Sequence, residues 1–71
     1  MSMNTRRIEY AAIAIDAMLD TTNEDHGDDI ATPVTDLLAN LMHYCDAEGI
    51  DFQRCLKSAG IHFEAERYED A

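Results

Sequence analysis

The chain is poor in positive charge. Five Lys and Arg stand against 15 Asp and Glu, which leaves a formal charge of -10 over 71 residues. DNA and anionic membranes repel such a protein, so direct nucleic-acid binding and membrane-surface binding are excluded. Basic partners, reached by fast and salt-sensitive association, are favoured. Long apolar runs are missing too. Nothing in the chain is long enough to cross a bilayer, and the opening MSMNTRRIEY lacks the apolar segment and cleavage site of a secretory signal. The expected location is cytoplasmic. The three glycines are scattered singly, so no phosphate-cradling loop forms. Cysteine is limited to Cys45 and Cys55, both expected on the inward faces of their helices as small reduced apolar groups.

What the chain does have is apolar content. Hydrophobic residues make up 46%, with Leu, Ile and Phe among them, which argues for a folded protein over a disordered acidic tail. A chain of this length forms one domain and buries only about 60% of the surface its unfolded form exposes. Natural proteins of this size add a disulfide, a metal or a second copy, so a homodimer is one of the states expected.

The stretch Thr32 to Asp51, TPVTDLLANLMHYCDAEGID, organises the rest. Thr32 is the expected cap and Pro33 the first helical residue, where a missing N–H costs nothing. Val34, Leu37, Leu38, Leu41 and Cys45 recur at the three-and-four spacing of one helical face, and Gly49 supplies a left-handed stop. This predicts a helix over 33–48. Upstream, Ile8, Ala12, Ile15 and Leu19 predict a helix over 4–20, with Asn4 as its cap. Its charges oppose its dipole: Arg6 and Arg7 lie in the first turn, Asp16 and Asp20 near the end. Residues 21–31, TTNEDHGDDIA, read as a mobile acidic loop, longer than most helical connections, with Ile30 expected to tuck back onto the following helix. Asp51 caps a third helix over 52–67, in which Phe52, Cys55, Leu56, Ala59 and Phe63 run through Gly60 without losing register. The expected fold is all-α, a small three-helix bundle in one domain spanning residues 1–71. Its second and third helices are expected as near-antiparallel neighbours, and Met18, Leu38, Met42 and Tyr44 are available to a second copy.

Chemistry-bearing patterns are weak. His43, Cys45, Cys55 and His62 are four metal-ligand types, but His43 and Cys45 point roughly 200° apart on a helix and no paired spacing anchors a zinc site. The loop from Asn23 fails the EF-hand pattern, since its twelfth position is Val34 where a bidentate glutamate belongs. No nucleophile–base pair or ligand-sized cleft is expected, so neither an enzyme nor a bound cofactor is expected.

The acidic surface remains. Most charge runs are solvated faces; here Asp16 and Asp20, and again Glu66 and Asp70, stand four apart, at helix ends where carboxylates destabilise. The loop adds Glu24, Asp25, Asp28 and Asp29, and Glu64 and Glu69 lie near the C-terminus. Residues four apart rise about 6 Å along a helix, near the spacing of phosphates on a nucleic-acid strand. Such ladders present DNA-like charge to a Lys- and Arg-lined groove.

From Asp36 to Glu66 the string DLLANLMHYCDAEGIDFQRCLKSAGIHFEAE resembles the core of short acidic proteins encoded by bacteria, phages and plasmids. The elements that carry the resemblance, HYCDAEGIDF and IHFEAE, are a helix end, a turn and a packing face, and the acidic loop lies outside them. The resemblance implies inhibitors of host defence, of the anti-CRISPR and anti-restriction kind that mimic DNA. The expected function is therefore binding and inhibition of a protein with a basic nucleic-acid-binding surface. The likeliest contacts are Asp16, Asp20, Glu24, Asp25, Asp28 and Asp29, with Glu64, Glu66, Glu69 and Asp70 next. The alternative is a dimeric helical adaptor or regulatory protein with an apolar interface, whose charge serves only solubility.

Overall fold

The three periodic stripes become three helices. The computed structural model describes residues 3–69, with α1 (Met3–Thr22), α2 (Ala31–Glu48) and α3 (Phe52–Glu69) and no strand among the described residues. The all-α, three-helix expectation holds, and the helix boundaries differ from expectation by one to two residues at most ends, with local causes.

α1 runs two residues beyond Asp20, and there the Thr21 and Thr22 hydroxyls donate to the carbonyls of Ala17 and Leu19 at 2.9 and 3.3 Å. Asn23 then turns left-handed at φ 57, and the Glu24 amide reaches back to the Leu19 carbonyl at 3.1 Å, closing the helix end. The connection that follows, residues 23–30, is shorter than the 21–31 expected and carries hydrogen bonds within itself. Asp25 accepts from the Gly27 amide at 2.8 Å, and the Asp29 amide donates to the His26 carbonyl at 3.1 Å. Ile30 does not tuck back; it is 82% exposed.

Thr32 is not the cap of α2. The capping group is the Asp29 carboxylate, which accepts from the Ala31 and Thr32 amides at 3.0 and 3.1 Å and from the Thr32 hydroxyl. Pro33 accordingly sits at the third residue of α2, within the first turn, still among residues whose amides have no helical partner. The far end matches expectation: Gly49 lies at φ 70, ψ 28 and the Ile50 amide closes onto the Cys45 carbonyl at 2.8 Å. Asp51 caps α3 as expected, accepting from the Arg54 amide at 3.2 Å, and α3 runs unbroken through Gly60. Asn4 is not a cap; its side-chain amide donates to the Glu66 carbonyl of α3 at 3.0 Å.

Packing is where the chain departs most from a closed bundle. Helices of 18–20 residues are about 30 Å long and pack 8–10 Å apart, so three laid side by side would be narrow in two directions. The observed extents are 36 × 32 × 15 Å, a flat shape with a radius of gyration of 13.9 Å. A compact chain of this length would have about 11 Å. The helices therefore splay. α1 and α2 meet where the Asn40 amide touches the Met18 sulfur at 3.3 Å, and the start of α1 meets the end of α3 through Asn4 and Arg7. Among the described residues only Pro33 and Cys45 are buried; Ile15, Met18, Leu19, Leu37 and Phe52 are half-buried. Cys55, expected inside, is exposed, on a helix with no buried residue among those described; both cysteines are free thiols.

Candidate functional site

Charge segregates along the chain before it does so in space. Between Arg7 and Arg54 there is no Lys or Arg at all, while Asp and Glu recur throughout. The corner built by the end of α1, the 23–30 turn and the start of α2 therefore contains no Lys or Arg of its own.

The fold shapes that corner into a groove open to solvent, of about 340 Å³, which the sequence alone did not lead one to expect. Its floor is apolar, from Ala12, Ile15 and Leu19 of α1 with Pro33 opposite. Its rim is acidic, from Asp16, Glu24, Asp25 and Asp29. Helical spacing places Asp16 beside Ile15 and Leu19, and the left-handed Asn23 swings the chain back so that Glu24 and Asp25 stand over the same end of α1. Asp20 lies one turn beyond Asp16 and is exposed. Asp28, also exposed, occupies the turn before the α2 cap.

The rim carboxylates are not equivalent. Asp29 is committed to α2, and its carboxyl is held below the ordinary value by the Thr32 hydroxyl first, then by the Thr32 and Ala31 amides, with the nearby His26 charge adding to them; its partial desolvation acts the other way. Glu24 lies 3.1 Å from His26 Nε2, and Asp36 of α2 lies 3.8 Å from the same atom. His26 and Asp36 were not singled out from sequence. The spacing of two between Glu24 and His26 is a weak signal, and Asp36 joins them only because α2 folds back. These three side chains place their ligand atoms within 4.8 Å of one another, close enough for one nitrogen and two oxygens to share a cation. Glu24 and Asp36 are half-exposed at 50% and 45%, and exposed acidic groups are common without a cation.

The C-terminal carboxylates form a separate set. Arg7 pairs with Glu66 at 3.4 Å and with Glu69 at 3.8 Å, its guanidinium also donating to Asn4 Oδ1 at 2.8 Å. Glu64 pairs with Arg67 at 3.6 Å, and Arg67 also lies over the Phe63 ring at 5.7 Å. These acids are partly neutralised by their own neighbours. Arg7 and Asp16 are nine residues apart on one helix, roughly 13 Å along its axis, so the structure does not merge this cluster with the groove. Asp70 lies outside the described residues. The expected opposition between the Arg6 and Arg7 charges and the α1 dipole is offset at Arg7 by Glu66 and Glu69, a tertiary contact with no local sequence signal.

A second depression, of about 550 Å³ and shallower, lies between the end of α2 and the start of α3, lined by Met42, His43, Cys45, Ile50 and Phe52 among others. No helix of the described residues is long and apolar enough to cross a membrane. Comparison with protein-family models, with curated proteins and with solved structures returns no match for this chain. The fold and the site define a small, acidic, all-α protein whose α1–turn–α2 corner carries an amphipathic acidic groove.

Proposed function

We propose that the chain binds and inhibits a protein with a basic nucleic-acid-binding surface, using the α1–turn–α2 corner as a DNA-like negative surface. Inhibitors of the anti-CRISPR and anti-restriction kind, which the resemblance to short acidic proteins of bacteria, phages and plasmids implies, mimic DNA in this way. The observation that carries the reading is the combination of an acidic rim and an apolar floor in a stretch without Lys or Arg. An arginine or lysine from a partner would lay its aliphatic stem on Ile15, Leu19 and Pro33 while its charged head meets Asp16, Glu24 and Asp25. Asp20 and Asp28 extend the negative field on either side. Glu64, Glu66 and Glu69 contribute less, because Arg7 and Arg67 already answer them. On this reading the chain acts stoichiometrically, with no catalytic residue and no cofactor.

The test is a pull-down from a bacterial lysate with tagged chain, washed at low and high salt, with and without added duplex DNA, and read by mass spectrometry. Recovery of a nucleic-acid-binding protein that both salt and DNA remove supports the proposal. The competing reading, a helical adaptor with apolar contacts, predicts partners indifferent to both.

A further inference from the structure

The three apolar stripes are covered at one end and run out uncovered at the other. On α1, Ile15 and Leu19 are half-buried against α2, yet Ile8 of the same stripe is 70% exposed. On α2, Cys45 is buried while Leu38 and Leu41 remain 43% and 42% exposed. On α3, Phe52 is half-buried while Leu56 and Phe63 are 49% and 58% exposed. These are the faces that helical periodicity dedicates to an interior, and a single chain leaves them open.

The area is large enough to identify what covers it. Monomeric proteins of 8.0 kDa expose about 4,450 Å² by the usual scaling with mass, whereas this chain exposes 5902 Å². The surplus, roughly 1,450 Å² per chain, exceeds the ~800 Å² per partner of a standard interface and falls in the range of obligate homodimers. Among the described residues only Pro33 and Cys45 are buried, which is too little for an interior of the chain's own. The cover is then part of folding, and a second copy is the one partner always present at matching concentration.

We infer that a second copy of this chain covers the open stripes, with Ile8, Leu38, Leu41, Leu56 and Phe63 forming an isologous apolar interface. This surface is separate from the acidic groove, and its salt response is opposite. Two chains of charge -10 repel, so added salt screens the repulsion and tightens the dimer, whereas salt weakens attraction to a basic partner.

The experiment is sedimentation equilibrium of the full chain at micromolar concentration across a salt series, with thermal unfolding followed at several concentrations. The expected species has twice the 8.0 kDa chain mass, a dissociation constant that falls with added NaCl and an unfolding midpoint that rises with protein concentration. Phe63→Glu weakens self-association by about tenfold or more, and the chain loses helix as it dissociates. Tyr10→Ser, about 200° around α1 from Ile8, leaves the dimer intact. A folded 8.0 kDa species with a concentration-independent midpoint overturns the inference, as does a Phe63→Glu chain that dimerises as tightly as wild type. Neutralising Asp25 and Asp28 leaves dimerisation in place, so failure of the groove reading and failure of this one are read separately.

Discussion

The same side chain, a single methyl, added at two glycines should move stability in opposite directions. At Gly60 and at Gly49 a Cβ meets nothing within 4 Å, so space does not distinguish them. Backbone conformation does. Gly60 lies inside α3 with ordinary helical geometry, where alanine is favoured by about 0.5–1 kcal/mol because it loses less freedom on folding. Gly49 lies at φ +70, where a Cβ crowds the following carbonyl and costs about 1 kcal/mol or more. With unfolding entropy near 2.1 cal/mol/K per residue, a chain of this length gains or loses about 7 °C per kcal/mol. Gly60→Ala should therefore raise the midpoint by roughly 3–7 °C and Gly49→Ala should lower it by roughly 7 °C or more. The assay is far-ultraviolet circular dichroism against temperature, at one fixed protein concentration because self-association would shift the midpoint. A Gly60→Ala chain less stable than wild type would refute the reasoning, since it would mean that α3 bends there or that something covers the position.

Two further predictions concern the corners. Asp29→Ala removes the α2 cap and lowers the midpoint; because the folded carboxyl lies below its ordinary value of 3.8, its stabilisation is present above that pH and fades as pH falls through the lowered folded value. The gap in midpoint between wild type and Asp29→Ala should thus be constant near neutrality and shrink below about pH 4, and a gap that widens on acidification would contradict the assignment. Arg7→Ala breaks two partly exposed ion pairs, each worth about 0.2–1 kcal/mol, and should lower the midpoint by a few degrees at low salt and less at high salt. A double-mutant cycle with Glu66→Gln that returns no coupling energy would remove this pair from the account.

Local signals in the sequence are most legible where one residue decides one backbone conformation. Gly49 and Asp51 mark the α2–α3 turn because a left-handed stop and a side-chain cap are chemical properties of those residues. Asp29 was missed as the α2 cap because Thr32 and Pro33 form an equally good local signal, and the choice between them rests on which side chain reaches the amides. The groove was half legible. Its acidic residues are visible in sequence, yet their separation from Glu64, Glu66 and Glu69 depends on Arg7 reaching across to α3, a contact between residues some sixty positions apart. The exposure of Leu41, Leu56 and Phe63 was not legible at all, since periodicity says which face is apolar and nothing about what covers it.

The central claim is that the carboxylates of the α1–turn–α2 corner carry partner binding. The most direct measurement is the affinity for the captured partner over a salt series, for wild type, for the Asp16→Asn, Asp25→Asn, Asp28→Asn triple variant and for a Glu64→Gln, Glu69→Gln control. The account predicts that wild type and control lose affinity steeply as salt rises, while the triple variant binds more weakly at low salt with a shallower slope. Equal affinities and equal slopes for all three would contradict it.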